Sequence, residues 1–311
     1  MNTQNKYYKP YSHLILSGGG YSALVYIGVY RCLLQYKILK DIKHIYGTSA
    51  GSIFGFLIGL GLEYNILEDI FIGEKSLFTK DDYIKFDTSD LFMFDVNKGI
   101  FSINRLRLFI EEILEDNYNI KDITFQEYLK KTGKDLHITS TCVNTSSIVD
   151  FCEKSHPNMS VITAMMCSSA VPFIFQPVEY EDHLYIDGGS INNIPITTIK
   201  KNPMNKLLVI NLTKNTNSTT KELKSNLLQY IWNVISASLQ SPVNLVKEMI
   251  KNEDAEIIDM LDNIMPCVSF DVKKEFIYTT FPKEIIEESI IYGYLKMYNH
   301  LKNITTIFEE K

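Results

Sequence analysis

Residues 44–51 read His-Ile-Tyr-Gly-Thr-Ser-Ala-Gly, and they give the clearest indication of the chain's architecture. Its apolar start predicts a buried strand, and the apolar residues 52–62 after it predict a helix. Between them stands the pattern G-x-S-x-G, which at a strand-to-helix junction is typical of a nucleophile elbow. Gly47 and Gly51 would permit the sharp turn, which would present the Ser49 hydroxyl at the positive end of the helix dipole. The alternative is a plain glycine-rich turn with a solvent-facing serine.

A second strand-to-helix unit lies upstream. Residues 14–16 are apolar and end in Ser17-Gly18-Gly19-Gly20, after which residues 23–36 are apolar on nearly every side. Two such units in succession predict a parallel sheet with helices on both faces, because parallel strands need crossover helices. Other apolar runs predict strands at 136–143, 184–186 and 207–212, and helices at 104–114, at 161–170, around Leu227, Ile231 and Ile235, and from Ile286 to Tyr298.

The composition limits the classes of function. The 311 residues carry 31 Lys and Arg against 37 Asp and Glu, a formal net charge of −6. No positive field is available for a phosphate backbone, so no nucleic-acid partner is expected. The longest apolar run, residues 53–62, is too short to cross a bilayer, and the polar first ten residues do not resemble a signal peptide. Five scattered cysteines without a Cys-x-x-Cys pair favour a reducing, cytoplasmic compartment and indicate neither disulfides nor a zinc site.

The triple-glycine loop allows more than one interpretation. Residues 18–23 satisfy the dinucleotide-binding pattern G-x-G-x-x-G/A, but the acidic residue expected at the end of the next strand is missing. No Gly-Lys-Ser/Thr follows, which argues against a Walker loop. Consecutive glycines do expose backbone N–H groups, which an oxyanion hole requires. The amides of Gly18, Gly19 and Gly20, with that of Ala50, are therefore the candidate oxyanion hole.

A serine nucleophile needs a base, and an aspartate fits this sequence better than a histidine. All histidines except His300 precede Asp187, against the order Ser, acid, His of an α/β-hydrolase, and His300 is interpreted as an exposed polar residue. Asp187 directly follows a short predicted strand, and Gly188 and Gly189 after it allow close packing against another loop. A partly desolvated carboxylate there could deprotonate Ser49 without an imidazole. A simple turn aspartate is the alternative.

These motifs, in this order, resemble those of the patatin-like phospholipases, which combine a glycine-rich loop, a G-x-S-x-G elbow and an Asp-Gly-Gly or Asp-Gly-Ala motif. Residues 167–178, 184–189 and 192–196 also resemble the family, so the resemblance spans about residues 12 to 200. It implies a three-layer α/β/α fold with a mainly parallel central sheet, a Ser49–Asp187 dyad that hydrolyses acyl lipids, and no metal or other cofactor. The sequence departs from the family at Ser22 and Ala23, where a basic residue and a glycine are usual.

The predicted function is a cytoplasmic, serine-dependent acyl hydrolase that acts on phospholipids, lysophospholipids or acylglycerols. Residues 12–205 would form the catalytic domain, and residues 206–311 a helical part packed on it. A catalytically weak lipid-binding or interaction protein with the same fold is the alternative, and a dinucleotide-binding oxidoreductase is a more distant one. Transient contact with a membrane surface would need exposed apolar residues. The clusters at 91–94 and 99–101 are the candidates, with core packing as the alternative for both.

Overall fold

The computed structural model describes residues 9–73, 98–199, 205–213, 254–260 and 283–309. These ranges contain ten β-strands and seven α-helices. The strands are β1 (His13–Leu16), β2 (His44–Thr48), β3 (Gly99–Phe101), β4 (Asp135–Cys142), β5 (Ser147–Phe151), β6 (Phe173–Phe175), β7 (Val178–Tyr180), β8 (His183–Asp187), β9 (Leu207–Asn211) and β10 (Ala255–Asp259). The helices are α1 (Val25–Gln35), α2 (Ala50–Leu60), α3 (Tyr64–Ile72), α4 (Asn104–Tyr118), α5 (Phe125–Thr132), α6 (Val161–Ser169) and α7 (Lys283–Glu309).

Eight of these strands form one sheet whose central part is parallel. Their order is β10-β9-β1-β2-β4-β8-β7, and β5 pairs with β4 outside that path. The five strands from β10 to β4 pair in parallel, whereas β5, β7 and β8 join through antiparallel pairs. The strands β3 and β6 form a separate parallel pair. The prediction of a mainly parallel central sheet is confirmed.

Apolar side chains cover both faces of this sheet. Leu14 and Leu16 of β1 belong to the larger core, to which all seven described helices contribute. Ile15 lies on the opposite face, because side chains alternate along a strand, and it packs there with Ile194 and Val209. Strands buried on both faces appear in the sequence as continuous apolar runs. The mainly parallel sheet is flanked by helices, and the predicted α/β/α class is confirmed.

The C-terminal elements pack on the same sheet and on its helices. The strand β9 pairs in register with β1. Helix α7 lies so close to α1 that a Cβ on Gly28 would be 1.8 Å from the carbonyl oxygen of Ile290. The predicted boundary between 12–205 and 206–311 falls between β8 and β9, two strands of one sheet. That division, and the helical nature of the second part, stay predictions.

The structure describes only part of what the sequence suggested about membranes. The apolar cluster at 91–94 lies outside the described residues, as does the predicted helix around Leu227, Ile231 and Ile235. Phe101 of β3 is buried and so belongs to the core, which was the alternative for the cluster at 99–101. Among the described helices, none combines the length and the apolar character needed to cross a bilayer.

Candidate active site

Ser49 lies in the turn between β2 and α2, where the G-x-S-x-G pattern predicts it. Its backbone has φ 53° and ψ −129°, a conformation that residues with a side chain rarely adopt. A Cβ on Gly51 would lie 2.3 Å from the carbonyl oxygen of Leu16, and a Cβ on Gly47 would lie 2.5 Å from the Cα of Ser52. Glycine at both positions therefore lets α2 begin close to the ends of β1 and β2.

Strand register brings Asp187 to this turn. Asp187 pairs with Ser140 of β4, and the preceding residue of β4, Thr139, pairs with Thr48 of β2. Asp187 is only 2% exposed, and its carboxyl accepts a hydrogen bond from the amide of Gly189 at 2.7 Å and interacts with the Ser49 hydroxyl. The structure thus brings together the two residues that the sequence proposed as a dyad.

The environment of Asp187 strengthens it as a base. Burial raises the pKa of Asp187 to about 6, and the hydrogen bonds from Ser49 and the Gly189 amide, which lower that pKa, offset burial only in part. Gly188 contributes to this burial, because a Cβ on it would lie 2.1 Å from the carbonyl oxygen of Thr139. A carboxylate with this pKa is still ionised at pH 7 and has a greater proton affinity than an exposed aspartate.

The glycine-rich loop lies against Ser49 because β1 and β2 are adjacent parallel strands. A Cβ on Gly18 would be 3.0 Å from the Cβ of Ser49. In the described part of the chain, the N–H groups of Gly18 and Gly19 donate to no backbone carbonyl. Gly20 has φ +53° and open space around it. Ala50 is the first residue of α2, so its amide has no acceptor within the helix. Amides without an acceptor beside a serine hydroxyl are what an oxyanion hole needs.

Two further residues hold these parts in position, and no single motif predicted either. The Ser168 hydroxyl accepts the Ser49 N–H at 2.8 Å and donates to the Thr139 carbonyl at 2.6 Å. The Asn193 amide donates to the Gly18 carbonyl at 3.1 Å and to the Thr213 hydroxyl at 3.2 Å. Both residues fall in stretches that resemble the family, and that resemblance was the available signal.

The structure places His300 away from Ser49 and corrects one expectation about it. His300 is partly buried, with 26% of its side chain exposed, rather than fully exposed. Its Nε2 lies 2.7 Å from a carboxylate oxygen of Glu256, and Glu256 pairs with Leu208 near the start of β9. His300 therefore links α7 to β10 and does not complete a triad with Ser49 and Asp187.

Comparisons with known proteins identify relatives of this chain. Probable lipid hydrolase 463L of Invertebrate iridescent virus 6 is 33% identical over 193 residues, which cover 61% of this chain and 63% of that protein. Uncharacterized protein R571 of Acanthamoeba polyphaga mimivirus is 26% identical over 300 residues, which cover 93% of this chain and 95% of that protein. The crystal structure of VipD from Legionella pneumophila superposes with a TM-score of 0.54 at 13% identity, covering 94% of this chain and 67% of that one, and so shares the fold.

The family model of the patatin-like phospholipases matches residues 14–199. This match includes the glycine-rich loop, the elbow and Asp187, and it covers more than half of the chain. The sequence resemblance and the fold both agree with this match. The chain belongs to the patatin-like phospholipase family.

Proposed function

We propose that this protein is a serine-dependent lipid acyl hydrolase with Ser49 as nucleophile and Asp187 as general base. Its substrates would be phospholipids, lysophospholipids or acylglycerols. The observation that carries the proposal is the carboxyl of Asp187, which is buried beside the Ser49 hydroxyl and interacts with it. Family membership supports it, as does the name of the viral relative, a probable lipid hydrolase.

The first half of the reaction transfers the acyl group to the enzyme. Asp187 takes the proton of Ser49 as the serine oxygen attacks the ester carbonyl carbon, so the negative charge moves to the carbonyl oxygen. The amides of Gly18, Gly19, Gly20 and Ala50 would donate hydrogen bonds to that oxygen. The tetrahedral intermediate then expels the alcohol, which leaves with the proton held by Asp187.

The second half restores the enzyme. Asp187 accepts a proton from a water molecule, and the resulting hydroxide attacks the acyl carbon of the ester on Ser49. The same amides stabilise the second oxyanion. When the intermediate collapses, the fatty acid leaves and Ser49 recovers its proton from Asp187. Apart from the water molecule, this cycle needs only groups that the chain itself supplies.

The proposed substrates also require contact with a membrane surface. One apolar side chain near the site is exposed: Ile191, four residues after Asp187, is 37% exposed. Shallow insertion of such a side chain would bring the site to the interface. We keep the cytoplasmic compartment as part of the proposal, because the described cysteines, Cys32, Cys142, Cys152 and Cys167, are all free.

A fluorophosphonate probe tests the proposal, since it phosphonylates an activated serine. We expect it to label the wild-type protein and Ser22→Ala, which keeps a normal elbow, but not Ser49→Ala. Ester hydrolysis should follow the same order. If the wild-type protein binds lipid vesicles but is neither labelled nor active, the catalytically weak lipid-binding protein is the better description.

Ser22 motivates that alternative, because a basic residue usually stands there in the family. Ser22 is partly buried in the 3-10 turn Gly20–Leu24, and the loop amides near Ser49 do not depend on its side chain. We therefore expect Ser22→Arg to change kcat/KM by less than about tenfold, which is about 1.4 kcal/mol in the barrier. Steady-state rates on a short-chain ester measure this, with Ser22→Gln as a control for side-chain size. A gain of several hundredfold in Ser22→Arg would instead show that the protein has lost most of its activity.

A further inference from the structure

Two histidines and an aspartate meet at the N-terminal ends of β2 and β4, whereas Ser49 follows the C-terminal end of β2. His44 is the first residue of β2 and Asp135 the first of β4, and these two residues are paired in the parallel register. His137 follows two residues later, so its side chain lies on the same face as that of Asp135. Ser49 comes after the other end of β2, five residues and about 16 Å from His44. The proposed hydrolysis uses none of these three side chains.

Their ligand atoms have the separations that one metal ion needs. His44 Nδ1 lies 3.4 Å from Asp135 Oδ2, and His137 Nε2 lies 3.1 Å from the same oxygen. All three ligand atoms are within 4.8 Å of one another. Two ligands of a tetrahedral ion with bonds of about 2.0–2.1 Å are about 3.3 Å apart. The two distances from Asp135 Oδ2 therefore match two edges of a tetrahedral site.

Neighbouring side chains fix both imidazole rings. The Nδ1 of His137 donates to Asp150 Oδ2 at 2.8 Å, and its Nε2 contacts Asp135 Oδ2 at 3.1 Å, so a metal ion would replace the proton in this second contact. A carboxylate behind a ligating histidine is the usual support of a metal site. Tyr46 stacks on His137 with ring centroids 4.1 Å apart, and His13 stacks on His44 at 4.5 Å.

The carboxylates of the cluster have unsatisfied oxygens. Asp135 Oδ1 and Asp150 Oδ1 are buried and have no hydrogen-bond partner among the described residues. A buried carboxylate oxygen without a donor is costly, and a cation bound to the Asp135 carboxylate would balance its charge and so reduce that cost. His44 Nδ1 is likewise buried without a hydrogen-bond partner within the described ranges, whereas the His44 and Asp135 side chains as wholes remain 39% and 27% exposed.

We propose that His44 Nδ1, Asp135 and His137 Nε2 bind a divalent transition-metal ion such as Zn²⁺, with water in the fourth position. Two imidazoles and one carboxylate favour such an ion over Mg²⁺ or Ca²⁺, which prefer oxygen ligands alone. The ion would join β2 to β4 and stabilise the sheet. Because this site lies at the opposite end of the strands from Ser49, the inference does not depend on the proposed hydrolase function.

A second set of potential ligands shares His137 but fits less well. His137, Asp150 and Cys152 also place ligand atoms within 4.8 Å of one another. The 2.8 Å between His137 Nδ1 and Asp150 is a hydrogen-bond length and is short for two ligands of one tetrahedral ion. Cys152 is buried, and its sulfur contacts the Ser155 hydroxyl at 3.4 Å. We assign Asp150 to the support of His137 and leave Cys152 outside the site.

Cobalt binding tests this assignment on the full-length protein. After removal of metals with EDTA, we expect titration with Co²⁺ to give the strong visible absorption of a tetrahedral complex, saturating at one ion per chain. His44→Gln, Asp135→Asn and His137→Gln should each lower the Co²⁺ affinity at least about tenfold, and Asp150→Asn about 10–100-fold. His183→Gln, which changes an exposed histidine elsewhere on the sheet, is the matched control and should bind like the wild type.

Thermal unfolding gives a second readout. Zn²⁺ should raise the Tm of the wild type and of His183→Gln but not that of His44→Gln. Because His44 is partly exposed, its variant is expected to fold, which circular dichroism checks. The assignment is overturned if tetrahedral Co²⁺ bands do not form, if His44→Gln binds Co²⁺ as tightly as the wild type, or if an intense sulfur-to-cobalt band identifies Cys152 as a ligand.

Discussion

Replacing Ser49 by alanine, or Asp187 by asparagine, is expected to lower kcat/KM for ester hydrolysis by at least about 10⁴-fold. Each change removes one half of a proton transfer that works only as a pair: the alanine has no oxygen to attack, and the asparagine accepts no proton. For the same reason, kcat/KM of the variant with both changes should be no lower than that of the less active single variant. Initial rates on a soluble short-chain ester and on phospholipid vesicles measure both effects.

His300→Gln is the control for this experiment. Glutamine keeps a donor for Glu256, so the link between α7 and β10 should persist and the activity should stay within about twofold of the wild type. Circular dichroism and thermal unfolding verify that Ser49→Ala and Asp187→Asn remain folded. A loss in His300→Gln that equals the loss in Ser49→Ala would replace the dyad by a histidine triad.

The sequence predicted the centre of the fold because its strands are buried on both faces. The continuous apolar runs at 14–16, 44–46 and 207–212 correspond to β1, β2 and β9, with ends that differ by no more than two residues. The two strand-to-helix turns were predicted for a related reason, since glycines at fixed offsets mark them.

Partly exposed strands lack such continuous apolar runs in the sequence. The strands β7 and β10 contain polar residues and are largely half-exposed, and they lie at the two ends of the sheet. An edge strand with one pairing partner tolerates that composition, so nothing in its pattern separates it from a loop. The same is true of β5, whose exposed start follows a polar turn.

Side chains that meet only through tertiary packing were also missed. Ser168 is 119 residues from Ser49, and Asn193 is 175 residues from Gly18. Asp135 is brought to His44 by the pairing of β4 with β2, and no local spacing marks the two as neighbours. Motifs therefore indicate the residues that one turn presents, whereas the groups that hold them depend on which strands lie side by side.

The pH dependence of the reaction should follow the titration of Asp187. Burial raises the pKa of this carboxyl to about 6, and below that value Asp187 is protonated and takes no proton from Ser49. We therefore expect kcat/KM to rise about tenfold per pH unit up to pH 6 and to level off above it. Rates on a neutral short-chain ester between pH 4 and 8 measure this. An inflection near pH 4 instead would mean that burial does not perturb the base.

The same shift makes Asp187 costly for the folded state, and the sign of that cost provides an independent check. Between pH 4 and 6 the folded protein binds the Asp187 proton more tightly than the unfolded chain, so stability falls as the pH rises through this window. The shift from 3.8 to about 6 corresponds to roughly 3 kcal/mol above pH 6. Asp187→Asn removes this charge and should exceed the wild type in free energy of unfolding at pH 8 but match it at pH 4. Urea denaturation at the two pH values measures the difference, and an equal effect at both would show that the carboxyl is not desolvated as its burial implies.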